Sequence, residues 1–458
     1  MAIADPTLDY LADGPAEGEL PALDLARFYQ VLDELDPIRC TGRVVQVIGL
    51  TIEAAGLACQ VGEVCSIVTQ PGTRAEPILA EVVGFRNDRV LLMPLGEMAG
   101  IAPGSEVIAS GSGFSVVVGP GLVGRVVDGL GRPIDGKGPI AGQRCGVGRP
   151  PPAALLRQRI VEPLATGVRA IDGVLTCGRG QRLGIFAGAG VGKSTLLGMI
   201  ARGVSADVTV IALIGERGRE VREFIERDLG PEGLARAVVV VSTSDQPALV
   251  RVKGAWVATA IAEYFRDQGL HVCFLMDSVT RFAMAQREIG LTVGEPPAAK
   301  GYTPSVFALL PKLMERTGAA DRGTITSFYS VLVEGDDMQE PIADTVRSIL
   351  DGHIVLSREL AAENHYPAID VLNSISRLMN DVTSDEHRRA AGQLREVLAT
   401  YAGARDLVNI GAYVAGSNPA IDYALQALPR VREFLRQPAT EIAGYEATLQ
   451  ALGRLFDG

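Results

Sequence analysis

The sequence predicts an α/β protein in three parts: a small β-rich domain, a larger domain built on a parallel sheet, and a helical C-terminal region. Three observations predict it. Between Thr41 and Gly104, short β-rich runs are separated by Gly, Pro and Asn-Asp turns. From Leu183 onward, apolar strand-like runs alternate with helical stretches, the pattern of a parallel sheet covered on both faces. From about residue 381, strand runs stop and the chain reads as helical.

The first element is an acidic arm, residues 1–36, with nine carboxylates against one cation, Arg27. Leu25, Phe28, Leu32 and Leu35 recur at helical spacing. A terminal amphipathic helix of this kind either docks a partner or packs on its own domain. Residues 37–104 follow as a β-domain, expected to close into a barrel, with runs at Arg43–Ile48, Cys65–Thr69, Ile78–Phe85 and Arg89–Met93.

Residues 105–380 form the central domain. It opens with a glycine-rich, loop-like stretch, Gly119–Ile140. Strands are expected at Leu183–Ala187, Val208–Gly215, Val238–Thr243, Val272–Met276 and Thr324–Leu332. Helices fall between most of them, including Leu249–Asp267 and Pro304–Arg316, the latter with Thr303 as its cap and Pro304 at its first position. Residues 381–458 make up the helical C-terminal domain.

Composition narrows the function. A chain of 458 residues suggests roughly three domains. A hydrophobic content of 47% is ample for their cores, and a net charge of −11 argues against a nucleic-acid surface over most of the molecule. The six cysteines form no C-x-x-C pair and the four histidines show no metal-binding spacing. No run of about 18 apolar residues and no secretory leader is present, so a cytoplasmic protein is expected.

The chemistry is carried first by Gly188-Ala189-Gly190-Val191-Gly192-Lys193-Ser194-Thr195. This run follows an apolar strand and opens a helical pattern, the context that a phosphate-binding loop requires. Glycines let backbone N–H groups turn toward phosphate oxygens. The following helix directs its positive end at the same oxygens. Lys193 supplies a mobile cation, and the Ser194 hydroxyl suits Mg²⁺. Ala187 stands where the strict pattern has its first glycine, which is tolerable if that residue keeps strand dihedrals.

Two carboxylates end apolar strand runs. Asp277 closes His271-Val272-Cys273-Phe274-Leu275-Met276, where a phosphate-loop protein anchors its Mg²⁺. Glu216 is the first charge after Val208–Gly215, so it projects at the edge that carries the phosphate loop and can activate a water. The alternative for Glu216 is a solvated cluster with Glu220, Arg222, Glu223 and Arg227.

Together, FAGAGVGKST (186–195), IGERGREV (214–221), FLMDSVTRFAMAQRE (274–288), GEPPAAKGYTPSVFALLPKLMERTG (294–318), YSVLVEGDDMQEPIAD (329–344) and HYPAIDVLNSISR (365–377) closely resemble the flagellum-specific ATPases of type III protein export. These are related to the catalytic β subunits of rotary ATP synthases and to injectisome ATPases. The resemblance runs from about Leu25 to the C-terminus. It implies a β-barrel, a RecA-like nucleotide domain, a helical C-terminal domain, a homohexameric ring, and ATP with Mg²⁺.

Position by position, the resemblance makes Lys193 and Ser194 the phosphate-loop lysine and Mg²⁺ ligand, Asp277 the Walker B aspartate and Glu216 the water-activating glutamate. Arg217 and Arg281 match arginines on the γ-phosphate side. Tyr366 matches the ring that stacks on adenine. Tyr445 is a second adenine-side aromatic or a core tyrosine. Arg377 matches an arginine finger given to the neighbouring subunit, a contribution worth about 10³–10⁵ in rate; the plainer reading is a salt bridge within the subunit.

The same resemblance implies a stator-like regulator at residues 1–36, a central stalk protein at Asn409–Asp422 (NIGAYVAGSNPAID), and an export gate with its substrates or chaperones. That places the protein in the cytoplasm, peripheral to the inner-membrane export apparatus. The acidity of the arm argues against direct contact with anionic lipid. Competing readings are a rotary ATP synthase subunit, an RNA-translocating hexamer, disfavoured by the acidic balance, and a scaffold subunit, which predicts a broken phosphate loop.

Overall fold

The structure is a computed structural model that describes residues 40–69 and 76–456. The expected amphipathic arm lies outside the described residues. The unit that begins at Thr41 contains every element below.

Six strands close a barrel: β1 (Thr41–Ile48), β2 (Thr51–Ala55), β3 (Glu63–Val68), β4 (Ile78–Arg86), β5 (Arg89–Pro94) and β6 (Glu106–Gly113), in the order β1-β2-β5-β4-β3-β6. Along β1, Val44 is buried while Val45 and Val47 face outward, the two-residue alternation of a barrel wall. Ile52, Ile67, Val82, Leu92 and Val107 fill the interior with Val44. Asn87 and Asp88 take φ of 48° and 58°, the left-handed pair that a two-residue hairpin between β4 and β5 requires. The expected boundary at 104 falls short: β6 lies beyond it and closes the barrel by pairing with both β1 and β3. Its second half, Ala-Ser-Gly-Ser-Gly, carries no apolar run, which hid it.

The central sheet holds β7 (Arg125–Asp128), β8 (Arg182–Ala187), β9 (Val208–Ile214), β10 (Ala237–Ser242), β11 (His271–Asp277), β12 (Thr324–Leu332), β13 (Gly352–Leu356) and β14 (Ile369–Ser376), in the order β14-β13-β8-β12-β11-β9-β10-β7. All neighbours along this path are parallel except β13 and β14. The five expected strands are all present. Their near-continuous apolar character follows from burial on both faces: in β9, Val208, Val210, Ala212 and Ile214 enter one core, and Ile211 and Leu213 the other. β7 lies inside the stretch expected to be loop.

Helices α1 (Lys193–Gly203), α2 (Ala248–Asp267), α3 (Val279–Val293) and α4 (Pro304–Met314) flank the sheet, and α5 (Asp385–Asn409), α6 (Pro419–Leu435) and α7 (Tyr445–Arg454) form the C-terminal region. Thr303 occupies the cap position of α4 but does not cap it with its side chain. Its hydroxyl lies 3.1 Å from Ser305 Oγ instead, and the residue packs so closely on Gly290 that a Cβ there would fall 2.4 Å from Thr303 Oγ1. Beyond α4, Arg316 is buried against Glu263 of α2, Nε to Oε1 at 2.8 Å, and donates to Val147 O at 2.5 Å. Among the described residues, no helix is long and apolar enough to cross a membrane.

Candidate active site

The carboxyl ends of β8, β9 and β11 meet at one sheet edge, where α/β proteins place their ligands. The phosphate loop leaves β8 there. Ala187 is still within the strand, paired with Leu332 and Leu356, so alanine satisfies the position. Gly190 and Gly192 take φ of 79° and 92°, which side-chain-bearing residues rarely adopt. Val191 is buried and anchors the loop, whereas Ala189, Gly190 and Ser194 are exposed. A Cβ on Gly188 would fall 2.7 Å from Arg358 Nη2 and 3.0 Å from Asp336 Oδ1. Lys193 and Ser194 open α1, with Thr195 in its first turn.

Lys193 reaches back across β12 to pair with Asp277, and its Nζ stands 3.9 Å from Glu216 Oε1. Ser330, on β12 between them, donates to Asp277 Oδ1 at 2.7 Å. Burial pushes the Glu216 carboxyl up to about 7; Asp277 adds to the rise, and Lys193 and Arg281 oppose it. Glu216 Oε1 is buried without a hydrogen bond. Arg281, in the first turn of α3, packs its stem on Gly215, where a Cβ would fall 2.7 Å from Arg281 Cβ. Its Nε is likewise buried without a partner. A buried acceptor and a buried donor are thus both left without a protein partner, a costly arrangement.

Mg²⁺ suits these residues. Ser194 offers an exposed hydroxyl beside Lys193, and Asp277 offers a carboxylate, both hard oxygen donors. Among the described residues there is no cluster of three or more His, Cys, Asp or Glu able to cage a metal unaided.

The remaining expected residues divide. The Tyr366 ring stands at the phosphate loop: a Cβ on Gly192 would lie 3.6 Å from its ring carbons, and the ring is partly open to solvent. Arg217 is not brought into the cluster. It precedes a short helix, is largely exposed, and pairs with Glu220 at 3.6 Å. Tyr445 lies at the other end of α1, lining a cavity with Ser205 and Arg179. Its phenol is pushed up to about 12 by burial, with Asp172 adding to the effect; the residue is half-buried, and its place at the far end of α1 from Tyr366 does not fit the adenine reading.

Arg377 follows β14, which runs antiparallel, so it emerges at the edge opposite its own phosphate loop. Its guanidinium has a single 3.5 Å contact, with Arg347 O, and among the described residues no carboxylate lies within ion-pair distance. The expected alternative of an intrasubunit salt bridge is therefore absent there.

Ser330, Arg358 and Gln437 were not anticipated. Ser330 had a readable signal, a hydroxyl inside an otherwise apolar buried strand end. Gln437 had none, since its partners at Arg169, Gly167 and Tyr366 lie far away in sequence.

Residues 167–376 match the nucleotide-binding domain of the ATP synthase alpha/beta family, and residues 44–111 match that family's beta-barrel domain. Residues 383–454 match the T3SS EscN ATPase C-terminal domain. The flagellum-specific ATP synthase of Bacillus subtilis is 57% identical over 430 residues, covering 93% of this chain and 97% of that protein. The type 3 secretion system ATPase of Xanthomonas euvesicatoria is 51% identical over 451 residues, covering 98% of each. The assembled ATPase EscN from the enteropathogenic E. coli type III secretion system superposes with a TM-score of 0.85 at 48% identity, covering 90% of this chain and 99% of that one. The chain belongs to the ATP synthase alpha/beta family, in the branch of flagellum-specific and type III secretion ATPases.

Proposed function

We propose that this chain hydrolyses Mg-ATP as a homohexamer and that hydrolysis energises or primes type III export of flagellar proteins across the inner membrane. The observation that carries the reading is the Lys193, Asp277 and Glu216 cluster at the carboxyl ends of adjacent strands, beside an intact phosphate loop.

The loop backbone from Gly188 to Thr195 and the N-terminus of α1 hold the phosphates. Lys193, ion-paired with Asp277 in this state, turns to the β/γ-phosphates when they arrive. Ser194 and Asp277 would hold Mg²⁺, which when bound would supply positive charge against the phosphate oxygens. Glu216 Oε1 accepts a proton from the attacking water, in a site dry enough to raise its basicity. Arg281 faces the γ-phosphate side; Arg217 reaches it only by leaving Glu220. The Tyr366 ring stacks on adenine. Arg377 completes the neighbour's site, because it lies across the sheet from its own.

The hexamer is supported by the likeness to assembled EscN. A central stalk partner is supported by EscN solved with its stalk EscO, and by the loop between α5 and α6, where Ile410 and Val414 are largely exposed. A stator-like regulator at residues 1–36, contacts with an export gate, substrates or chaperones, and a cytoplasmic position peripheral to the inner membrane extend the same reading.

A second reading is an injectisome ATPase, favoured by the 51% identity to the Xanthomonas protein over 98% of the chain. Steady-state ATP hydrolysis with mass by light scattering tests the main reading. Wild-type hexamers that turn over ATP, and Glu216→Gln hexamers that do not, support it. Wild-type hexamers without turnover overturn it.

A further inference from the structure

Gln437 follows α6 and is 2% exposed. Its Oε1 accepts from Arg169 N at 2.8 Å, and its Nε2 donates to Gly167 O at 2.8 Å and to Glu441 O at 3.0 Å. Both amide hydrogens are therefore used, and the partners leave one orientation of the amide. Its backbone N–H donates to Tyr366 O at 2.9 Å. One buried residue thus ties the Tyr366 loop to the turn at 167–169 and to the loop that follows α6.

That turn is itself rigid. Asp172 is buried and accepts from Thr166 N, Thr166 Oγ1 and Gly167 N. Gly167 O also accepts from Ala443 N at 3.0 Å, and Gly167 lies so close to α1 that a Cβ would fall 2.9 Å from Gly203 Cα. At the end of α1, Arg202 donates to Ala439 O. The loop after α6 is therefore clasped to the far end of the helix that begins at the phosphates. The Tyr366 carbonyl hangs from this clasp, and the Tyr366 ring stands against Gly192 at the other end of α1.

We propose that Gln437 is a positioning residue for Tyr366: its three side-chain hydrogen bonds fix the backbone N–H that sets the ring beside the phosphate loop, so it tunes affinity for the purine base and not for the phosphates. This rests on reading Tyr366 as the base-stacking ring. Without these bonds Glu441 O and Arg169 N would be left unsatisfied and would pull the loop toward water, and the Tyr366 carbonyl with it, while Gly167 O would keep Ala443 N.

The test measures dissociation constants for Mg-ADP and for pyrophosphate, with kcat and KM for ATP, in wild type, Gln437→Met and Tyr366→Ala. Gln437→Met keeps the length of the side chain and removes its bonds. Weakening of ADP and a rise in KM of about tenfold, with pyrophosphate binding unchanged and kcat falling less than KM rises, support the inference. The double variant then binds ADP no more weakly than Tyr366→Ala alone. ADP and pyrophosphate weakening together overturn it, since that is the mark of general loosening. ADP unchanged in Gln437→Met but weakened in Tyr366→Ala also overturns it. ADP unchanged in Tyr366→Ala removes the stacking reading itself, and the inference with it. If Gln437→Met does not fold, Gln437→Glu, which keeps an acceptor for Arg169, carries the same comparison.

Discussion

Ser330 donates a 2.7 Å hydrogen bond to Asp277 Oδ1, the same oxygen that receives Lys193. Among the described residues the other carboxylate oxygen, Oδ2, takes no hydrogen bond, so the pair of donors on Oδ1 leaves Oδ2 for the Mg²⁺ proposed above. Partners that orient a metal-side carboxylate affect metal affinity by about 10–100-fold. We expect Ser330→Ala to raise the Mg²⁺ concentration for half-maximal ATPase about tenfold and to weaken Mg-dependent binding of a fluorescent ADP in parallel. An unchanged Mg²⁺ midpoint with reduced kcat would place the role of Ser330 elsewhere.

Glu216 sets the pH dependence. Burial pushes its carboxyl from the ordinary 4.5 up to about 7, so in the free enzyme it is largely protonated below that pH and cannot take a proton from water. The acid limb of kcat/KM, which reports the free enzyme, is expected near pH 7, with activity rising as pH rises. The stability sign is opposite. Folding takes up a proton between about 4.5 and 7, so this group's contribution declines as pH climbs through that window. Glu216→Gln should lower kcat by about 10²–10⁴ and flatten the dependence of Tm on pH across the same window. A steep wild-type-like Tm profile in the variant would remove Glu216 as its source.

The phosphate loop, Asp277 and Glu216 were legible because each ends an apolar run with a glycine or a charge, and parallel strands buried on both faces leave such runs unbroken. The unread parts obey weaker patterns. β13 alternates buried and partly exposed residues, β14 at the sheet's edge mixes buried with exposed ones, and β7 is four residues among glycines. Arg217 directly follows Glu216 in sequence, but it precedes a short helix and turns outward to pair with Glu220, and Tyr445, at the start of α7, lies at the far end of α1. Arg377 was legible only by resemblance; its separation from its own phosphate loop comes from the reversed direction of β14, which no local pattern encodes. Gln437 was invisible because its hydrogen bonds span up to 270 positions.

Arg316 and Glu263 form an ion pair in which both side chains are 1% exposed, with the guanidinium 5.3 Å from the centre of the Trp256 ring. Removing one partner strands a buried charge. Arg316→Met is expected to cost about 3–5 kcal/mol, whereas Arg316→Met with Glu263→Leu recovers most of the loss because both charges are gone. Denaturant midpoints for the two variants and wild type provide the check. A double variant as unstable as the single would show that packing on Trp256 and the Val147 carbonyl matters more than charge.

In the proposed reading, Arg377, across the sheet from its own Lys193, serves the neighbouring subunit, so each site depends on two subunits. Arg377→Ala should therefore bind ATP yet lose turnover by about 10³–10⁵, and wild-type turnover per subunit should rise with protein concentration over the assembly range. A sharper outcome follows from mixing Arg377→Ala with Glu216→Gln. Each variant is inactive alone, but in a mixed ring an Arg377→Ala subunit supplies Glu216 while its Glu216→Gln neighbour supplies Arg377. Random assembly of equal amounts rebuilds about a quarter of the sites, because the intact base and the intact finger each occur with one-half frequency. Recovered hydrolysis in the mixture, with both variants forming hexamers alone, establishes action between subunits. A mixture as inactive as its components, in rings shown to have exchanged subunits, would mean that Arg377 serves its own chain.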